Sequence, residues 1–218
     1  SETLAGEILA TGIRREESII ASLNDIIDMV CYSPDGRFIL SSVRDGNIYI
    51  TDTNPKEEVA NDVYHLNGIS WIRHITESPT GEVLGLAYYD SDRVFSLYNI
   101  TTSSVIREFE GHSNNILCAT LSKDCKYIIS ASRDNSIKLW SVETGECIMN
   151  YENLAQSATY VKITDDCKHF ICSYTNAIIK LYNINTGECI RSLDINGGGI
   201  LVSFDVSPDG STIAVATL

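Results

Sequence analysis

One stretch, Gly111 to Tyr151, constrains this chain more than any other, because it reads as four short strands joined by three tight turns. It opens with Gly111-His112 and alternates apolar and polar residues through Ile116-Leu117-Cys118-Ala119-Thr120-Leu121. A turn at Ser122-Lys123-Asp124-Cys125 leads into Tyr127-Ile128-Ile129-Ser130-Ala131-Ser132, and Arg133-Asp134-Asn135 returns the chain as Ile137-Lys138-Leu139-Trp140. The polar turn Glu143-Thr144-Gly145-Glu146 precedes a last run, Cys147 to Tyr151. Short alternating runs bounded by turn residues predict antiparallel strands.

The unit recurs along the chain. Residues 152–195 repeat it at an offset of about 42, inside the roughly 40–45-residue period of four-stranded repeats. Thr164-Asp165-Asp166-Cys167 forms the turn, Leu181-Tyr182 stands for Leu139-Trp140, and Asn185 to Ile190 nearly copies Glu143 to Ile148. Residues 22–65 carry the turn Ser33-Pro34-Asp35-Gly36, with Ser41 and Asp45 in the places of Ser130 and Asp134. Thr51 stands there where Trp140 would, and Ser22-Leu23 where Gly-His would. Residues 66–110 carry Ser78-Pro79-Thr80-Gly81 and end a third run at Leu97-Tyr98; their longer turn, Tyr88 to Arg93, is expected to protrude. Residues 196–218 hold two strands around Ser207-Pro208-Asp209-Gly210. Residues 1–21 supply a third and a fourth strand, Gly6 to Thr11 and Ser18 to Ala21. A helix from Ile13 to Val30 is the rival there, but it would consume the first strand of the next unit. Prolines 34, 79 and 208 all fall in Ser-Pro turns; a residue that cannot donate to a ladder so marks the strand boundaries.

Four residues of the 111–151 unit form one expected polar circuit. His112 would bridge the Asp134 carboxylate and the Ser130 hydroxyl, while Ser130 accepts from the Trp140 indole N–H; left unpaired and buried, such groups cost about 1–3 kcal/mol each. With the Gly-His pair, the turn Asp and the Leu-Trp ending in place, the unit resembles the WD repeat, one blade of a β-propeller. The resemblance implies an all-β fold, a propeller of four-stranded antiparallel blades, with about five blades visible here. The two chain ends would either share one blade and close the ring, or the chain would be a segment of a larger, commonly seven-bladed, propeller. A Ser-His-Asp catalytic reading of the same residues lacks an oxyanion hole and ignores Trp140.

The resemblance also implies a partner-binding face, the one carrying the loops before the first strand and after the second. Carried over position by position, that face holds Asn24, Ile26 and Arg44 from the first full repeat, and Trp71 and Ser91 from the second. Ser113, Asn115 and Arg133 come from the third, Ser157 and Thr175 from the fourth. Trp71 and the arginines are types enriched at hot spots. Arg44 and Arg133 occupy one slot in two blades and would jointly grip an acidic or phosphorylated peptide; the alternative is that they pair with nearby carboxylates.

Charge bears on partners. A net charge of −13 with scattered cations argues against direct nucleic-acid binding. An acidic surface also repels anionic membranes and steers basic protein segments. No apolar run approaches the roughly 20 residues of a membrane helix. No secretory signal is expected, since no basic region precedes an apolar core. Seven cysteines without a C-x-x-C favour reduced thiols and a cytoplasmic or nuclear setting. Histidines 65, 74, 112 and 169 fall in no recognised metal-ligand motif, so neither metal nor cofactor is expected. Gly197-Gly198-Gly199 lacks the context of a phosphate loop. Asn99-Ile100-Thr101 fits a glycosylation acceptor that would be silent in such a compartment. The expected function is a non-enzymatic scaffold that binds other proteins, basic or phosphorylated peptide segments among them, and assembles a complex. The alternative is a propeller enzyme or small-ligand binder acting at a central channel.

Overall fold

The structure, a computed structural model, describes the backbone of residues 6–10, 18–23, 27–32, 38–43, 47–52, 62–65, 72–88, 92–152, 156–174, 176–195, 201–206 and 212–217. Side chains are described at 30, 32, 39, 41, 49 and 51, through the four stretches between 72 and 195, and at 204 and 212–215. Two compact units form, residues 1–87 with 98–105, and residues 88–97 with 106–218.

The described residues are all β. Twenty strands follow in chain order: β1 (Gly6–Ala10), β2 (Ser18–Leu23), β3 (Ile27–Tyr32), β4 (Phe38–Val43), β5 (Asn47–Asp52), β6 (Asp62–His65), β7 (Ile72–Glu77), β8 (Val83–Ala87), β9 (Val94–Asn99) and β10 (Ser104–Glu110). The rest are β11 (Ile116–Leu121), β12 (Tyr127–Ser132), β13 (Ile137–Ser141), β14 (Cys147–Tyr151), β15 (Ala158–Ile163), β16 (His169–Tyr174), β17 (Ile178–Asn183), β18 (Cys189–Asp194), β19 (Leu201–Val206) and β20 (Ile213–Thr217). β3–β6, β7–β10, β11–β14 and β15–β18 are four-stranded meanders in sequential order, the sheets of propeller blades; β1–β2 and β19–β20 are two-stranded. Strands, not a helix, occupy the segment after Ile13 that is described.

Of the two alternatives for the chain ends, the shared blade has no ladder to support it among the described residues. β1 pairs with β2 and β20 with β19, in separate sheets, and no ladder joins them among the described residues.

The β11–β14 and β15–β18 sheets repeat one another in detail. Both have a bulge after the first residue of the first strand, at Ile116/Cys118 and Ala158/Tyr160. Both have another on the third strand, at Leu139/Trp140 and Leu181/Tyr182. Their first turns close with Cys125 N–H donating to Ser122 O at 2.9 Å and Cys167 N–H to Thr164 O at 2.8 Å. Both cysteines are left-handed, φ 57° and 54°, in the slot where Gly81 stands at 83°. A side chain there costs about 1–2 kcal/mol.

The largest core cluster described lies between these two sheets. Cys118, Ile129, Ala131, Ile137 and Leu139 pack with Ala158, Val161, Ile163, Phe170 and Cys172, and burying each larger side chain is worth about 1.5–3 kcal/mol. Polar links cross the same interface: Thr120 Oγ1 donates to Val161 O at 3.3 Å, Tyr151 Oη to Ile184 O at 3.0 Å, and Lys123 pairs with Asp165 at 2.8 Å. Arg107 secures the turn before β14, its guanidinium donating to the carbonyls of Val142, Thr144 and Glu143 at 2.8–3.2 Å. The turn expected to protrude is anchored at its described ends. Tyr88 is buried and its Oη accepts from Ala119 N–H at 3.0 Å, while Asp92 O accepts from Ile116 N–H at 2.8 Å.

Candidate protein-interaction site

Strand register brings the circuit together. Ile128 faces Trp140 across the β12–β13 ladder, so Ser130, two residues on, lies on the same face. Trp140 Nε1–H donates to Ser130 Oγ at 2.8 Å, Ser130 Oγ lies 2.8 Å from His112 Nε2, and His112 Nδ1 lies 2.9 Å from Asp134 Oδ2. One direction satisfies every group: indole to hydroxyl, hydroxyl to Nε2, and Nδ1–H to carboxylate. Gly111 makes room for this. Its φ is 149°, and a Cβ there would sit 3.2 Å from the indole. The indole also meets Phe95 and Phe109 edge-on, with centroids at 5.7 and 5.9 Å.

Asp134 is held by more than the histidine. Ser136 Oγ donates to its Oδ1 at 2.6 Å, Ser136 N–H to the same oxygen at 2.9 Å, and Ser113 N–H to Oδ2 at 3.0 Å. Burial pushes the Asp134 carboxyl up, but the hydrogen bonds from Ser136, His112 and Ser113 outweigh it and hold it at about 2. Burial also lowers His112 below its ordinary 6.5, against the pull of Asp134, which keeps the ring neutral as the circuit requires. Ser130 has no exposed surface, and its oxygen already accepts from the indole. A hydroxyl so placed holds strands together and is not presented to a substrate.

The circuit fixes the turn above it. Ser132 N–H donates to Ser136 O, Asn135 N–H to Ser132 O, and Asn135 is left-handed at φ 61°. Four residues of the expected partner face gather around this turn. Ser113 donates its N–H to Asp134, Asn115 O accepts from Arg133 N–H at 2.9 Å, and Ser157 Oγ donates to Asn135 Oδ1 at 2.7 Å, tying the next blade to it. Arg133 is exposed, and its guanidinium makes no ion pair among the described residues, contrary to the carboxylate pairing weighed for it. Asn24, Ile26, Arg44, Trp71, Ser91 and Thr175 lie outside the described residues. Sequence reasoning missed Ser136, Asn135 and Ser132; a Ser two residues after a turn Asp was the available signal.

The same positions are filled differently elsewhere. Ser41 and Thr51, the counterparts of Ser130 and Trp140, are buried with neither hydroxyl hydrogen-bonded. In the fourth blade Cys172 Sγ–H points to Tyr174 Oη at 3.4 Å, which lies 3.3 Å from Tyr182 Oη. Burial pushes the Cys172 thiol up to about 12, so it packs as a small apolar group. The glycosylation acceptor is occupied from within: Asn99 is buried, donates to Glu82 Oε1 at 3.0 Å and accepts from Thr102 N–H at 3.0 Å. No group of three metal-ligating side chains occurs among the described residues.

Two segments, 19–52 and 103–141, match the WD domain, G-beta repeat family. Each match starts in or just before the last strand of one sheet, β2 or β10, and runs through the first three strands of the next, β3–β5 or β11–β13. The repeat is thus staggered by one strand against the sheet, so each repeat covalently links two neighbours. These two segments read as WD repeats, and the four-stranded antiparallel sheets around them are consistent with the blades that such repeats build. No curated protein matches the chain. WD repeats generally mediate protein–protein interaction and complex assembly, and proteins built from them are typically non-enzymatic scaffolds.

Proposed function

We propose that this chain is a non-enzymatic scaffold in the cytoplasm or nucleus that binds peptide segments on the face around the Arg133-Asp134-Asn135 turn and assembles a complex there. The observation that carries the reading is the convergence of Ser113, Asn115, Arg133 and Ser157 on that turn, with the exposed Arg133 guanidinium free of any described carboxylate. A free guanidinium beside exposed hydroxyl and amide groups suits an acidic or phosphorylated segment, which it can meet bidentately.

Co-purification at native abundance, comparing wild type with Arg133→Glu, tests it. The variant is expected to lose a defined subset of partners while melting within about 0.5 kcal/mol of wild type, as surface substitutions do. Recovery of the same proteins in the same amounts by both would remove the reading.

A further inference from the structure

A second surface lies away from that turn, along the open edge of β14. Tyr127, Leu139, Ile148 and Met149 of the third blade, with Cys167, Ile184 and Asn185 of the fourth, line a groove of about 220 Å³ whose walls are apolar side chains mixed with polar atoms. Small-molecule pockets run to roughly 300–1,000 Å³, so this groove has the scale of a single large side chain. Ile148 stands at it 47 % exposed. β14 is the outermost strand of its sheet, paired only with β13 among the described residues; apart from the Met149 carbonyl, which accepts from Cys147 Sγ at 3.3 Å, its other edge is open to a further strand.

Charge says what would cover it. Glu143 and Glu146 precede β14 and Glu152 follows it, and no Lys or Arg occurs between Lys138 and Lys162. Lys138, opposite Asn150 in the ladder, is buried. Arg107 has its guanidinium committed to the turn carbonyls, and Lys123 is paired with Asp165. The β14 segment is therefore flanked by carboxylates at both ends and carries no exposed cation of its own, the nearest others by backbone contact being Lys126, 3.9 Å from Asp124, and Lys168.

We infer that β14 accepts an extended, basic segment of a partner protein as an added strand, which sets one large apolar side chain into the groove. Main-chain hydrogen bonds along the edge supply affinity and the groove selects the anchor, as in strand addition generally; Lys or Arg beside the anchor meets Glu143, Glu146 and Glu152. This surface is independent of the Arg133 face, and neither reading needs the other.

The test uses the full chain and a labelled synthetic peptide with Leu at its centre and Lys and Thr alternating on either side. Fluorescence anisotropy is expected to show saturable binding that weakens about tenfold or more when the central Leu becomes Ala, which removes most of one buried side chain. N-methylation of alternate peptide amides is expected to weaken it similarly. Ile148→Lys and Asn185→Lys, both at solvent-exposed positions, should each reduce binding, while Arg133→Glu should not. With the peptide bound, alkylation of Cys167, read by mass spectrometry, should slow several-fold relative to Cys189. Binding that is indifferent to the Leu, the N-methyl groups and both Lys variants, and that vanishes with added salt, would be mere attraction to an acidic protein and would overturn the inference. So would the absence of binding.

Discussion

The third and fourth blades share their ladders, bulges and turns almost residue for residue, yet they fill the space between strands differently. In the third, a charged centre, Asp134, is wired through His112 and Ser130 to Trp140, whose ring meets the stacked pair Phe95 and Phe109, 4.8 Å apart. In the fourth, Asn176 is exposed, Cys172 replaces the serine, and Tyr182 stacks on Phe170 at 4.9 Å with Tyr151 beside them. The lesson is that the blade backbone does not need the circuit. Ladder hydrogen bonds, turn geometry and aromatic burial make the sheet, and the circuit does something added: it locks the 132–136 turn and with it the Arg133 face. The first blade is a third case, since Ser41 and Thr51 keep two hydroxyls of the scheme without a partner for either.

The largest separation between the blades should come from Trp140→Ala, which removes the indole from the side of the stacked Phe95–Phe109 pair and strips Ser130 of its donor. A loss of about 3–5 kcal/mol in urea unfolding is expected. Tyr182→Ala should cost less, because its hydroxyl meets only the Tyr174 hydroxyl, at 3.3 Å, whereas the Trp140 indole N–H holds Ser130 in the circuit. A larger loss for Tyr182 would mean that the aromatic stack, not the circuit, anchors the pair of blades.

Asp134→Ala is expected to cost about 1–3 kcal/mol, since Ser136, His112 and Ser113 lose their common acceptor. Asn176→Ala, at the exposed counterpart, should stay within about 0.5 kcal/mol. Equal shifts in melting temperature for the two would contradict the asymmetry. The same Asp134 variant should raise hydrogen exchange in the 132–136 turn without doing so in the turn after β16.

Acid should weaken the third blade in two stages. His112 is lowered below 6.5 when folded, so its neutral form stabilises the fold fully above about 6.5 and that contribution fades as pH falls toward the folded value. Asp134, at about 2 against 3.8, contributes above 3.8 and loses its share as pH falls from there to 2. An imidazole titration by NMR that puts His112 above 6.5 would reverse the first sign.

The smallest effect concerns what the two blades have in common. Cys125→Gly and Cys167→Gly relieve the same left-handed strain, so each is expected to add up to about 1 kcal/mol after the entropy cost of glycine. A gain in only one would show that the two turns differ more than their φ angles.

Much of this was legible in the residues. The repeat period, the Ser-Pro turns and the apolar alternation determine a chain of four-stranded meanders, because each is a local preference summed over a short run. The types needed for the circuit, Gly-His, Ser, Asp and Trp, also stand in the sequence at repeating positions. Tertiary structure decided the rest. Ser136 and Ser113 converge on Asp134, and Ser157 reaches Asn135 from another blade, because folding sets the distances between groups that sequence order leaves open. Asn99 carries an acceptor motif that burial and Glu82 occupy. The chain ends carry strand pairs that could share one blade, yet among the described residues β1 pairs only with β2 and β20 only with β19. Pairing between distant strands depends on the entropy of closing the loop and on what each edge has already met, and no local pattern encodes either.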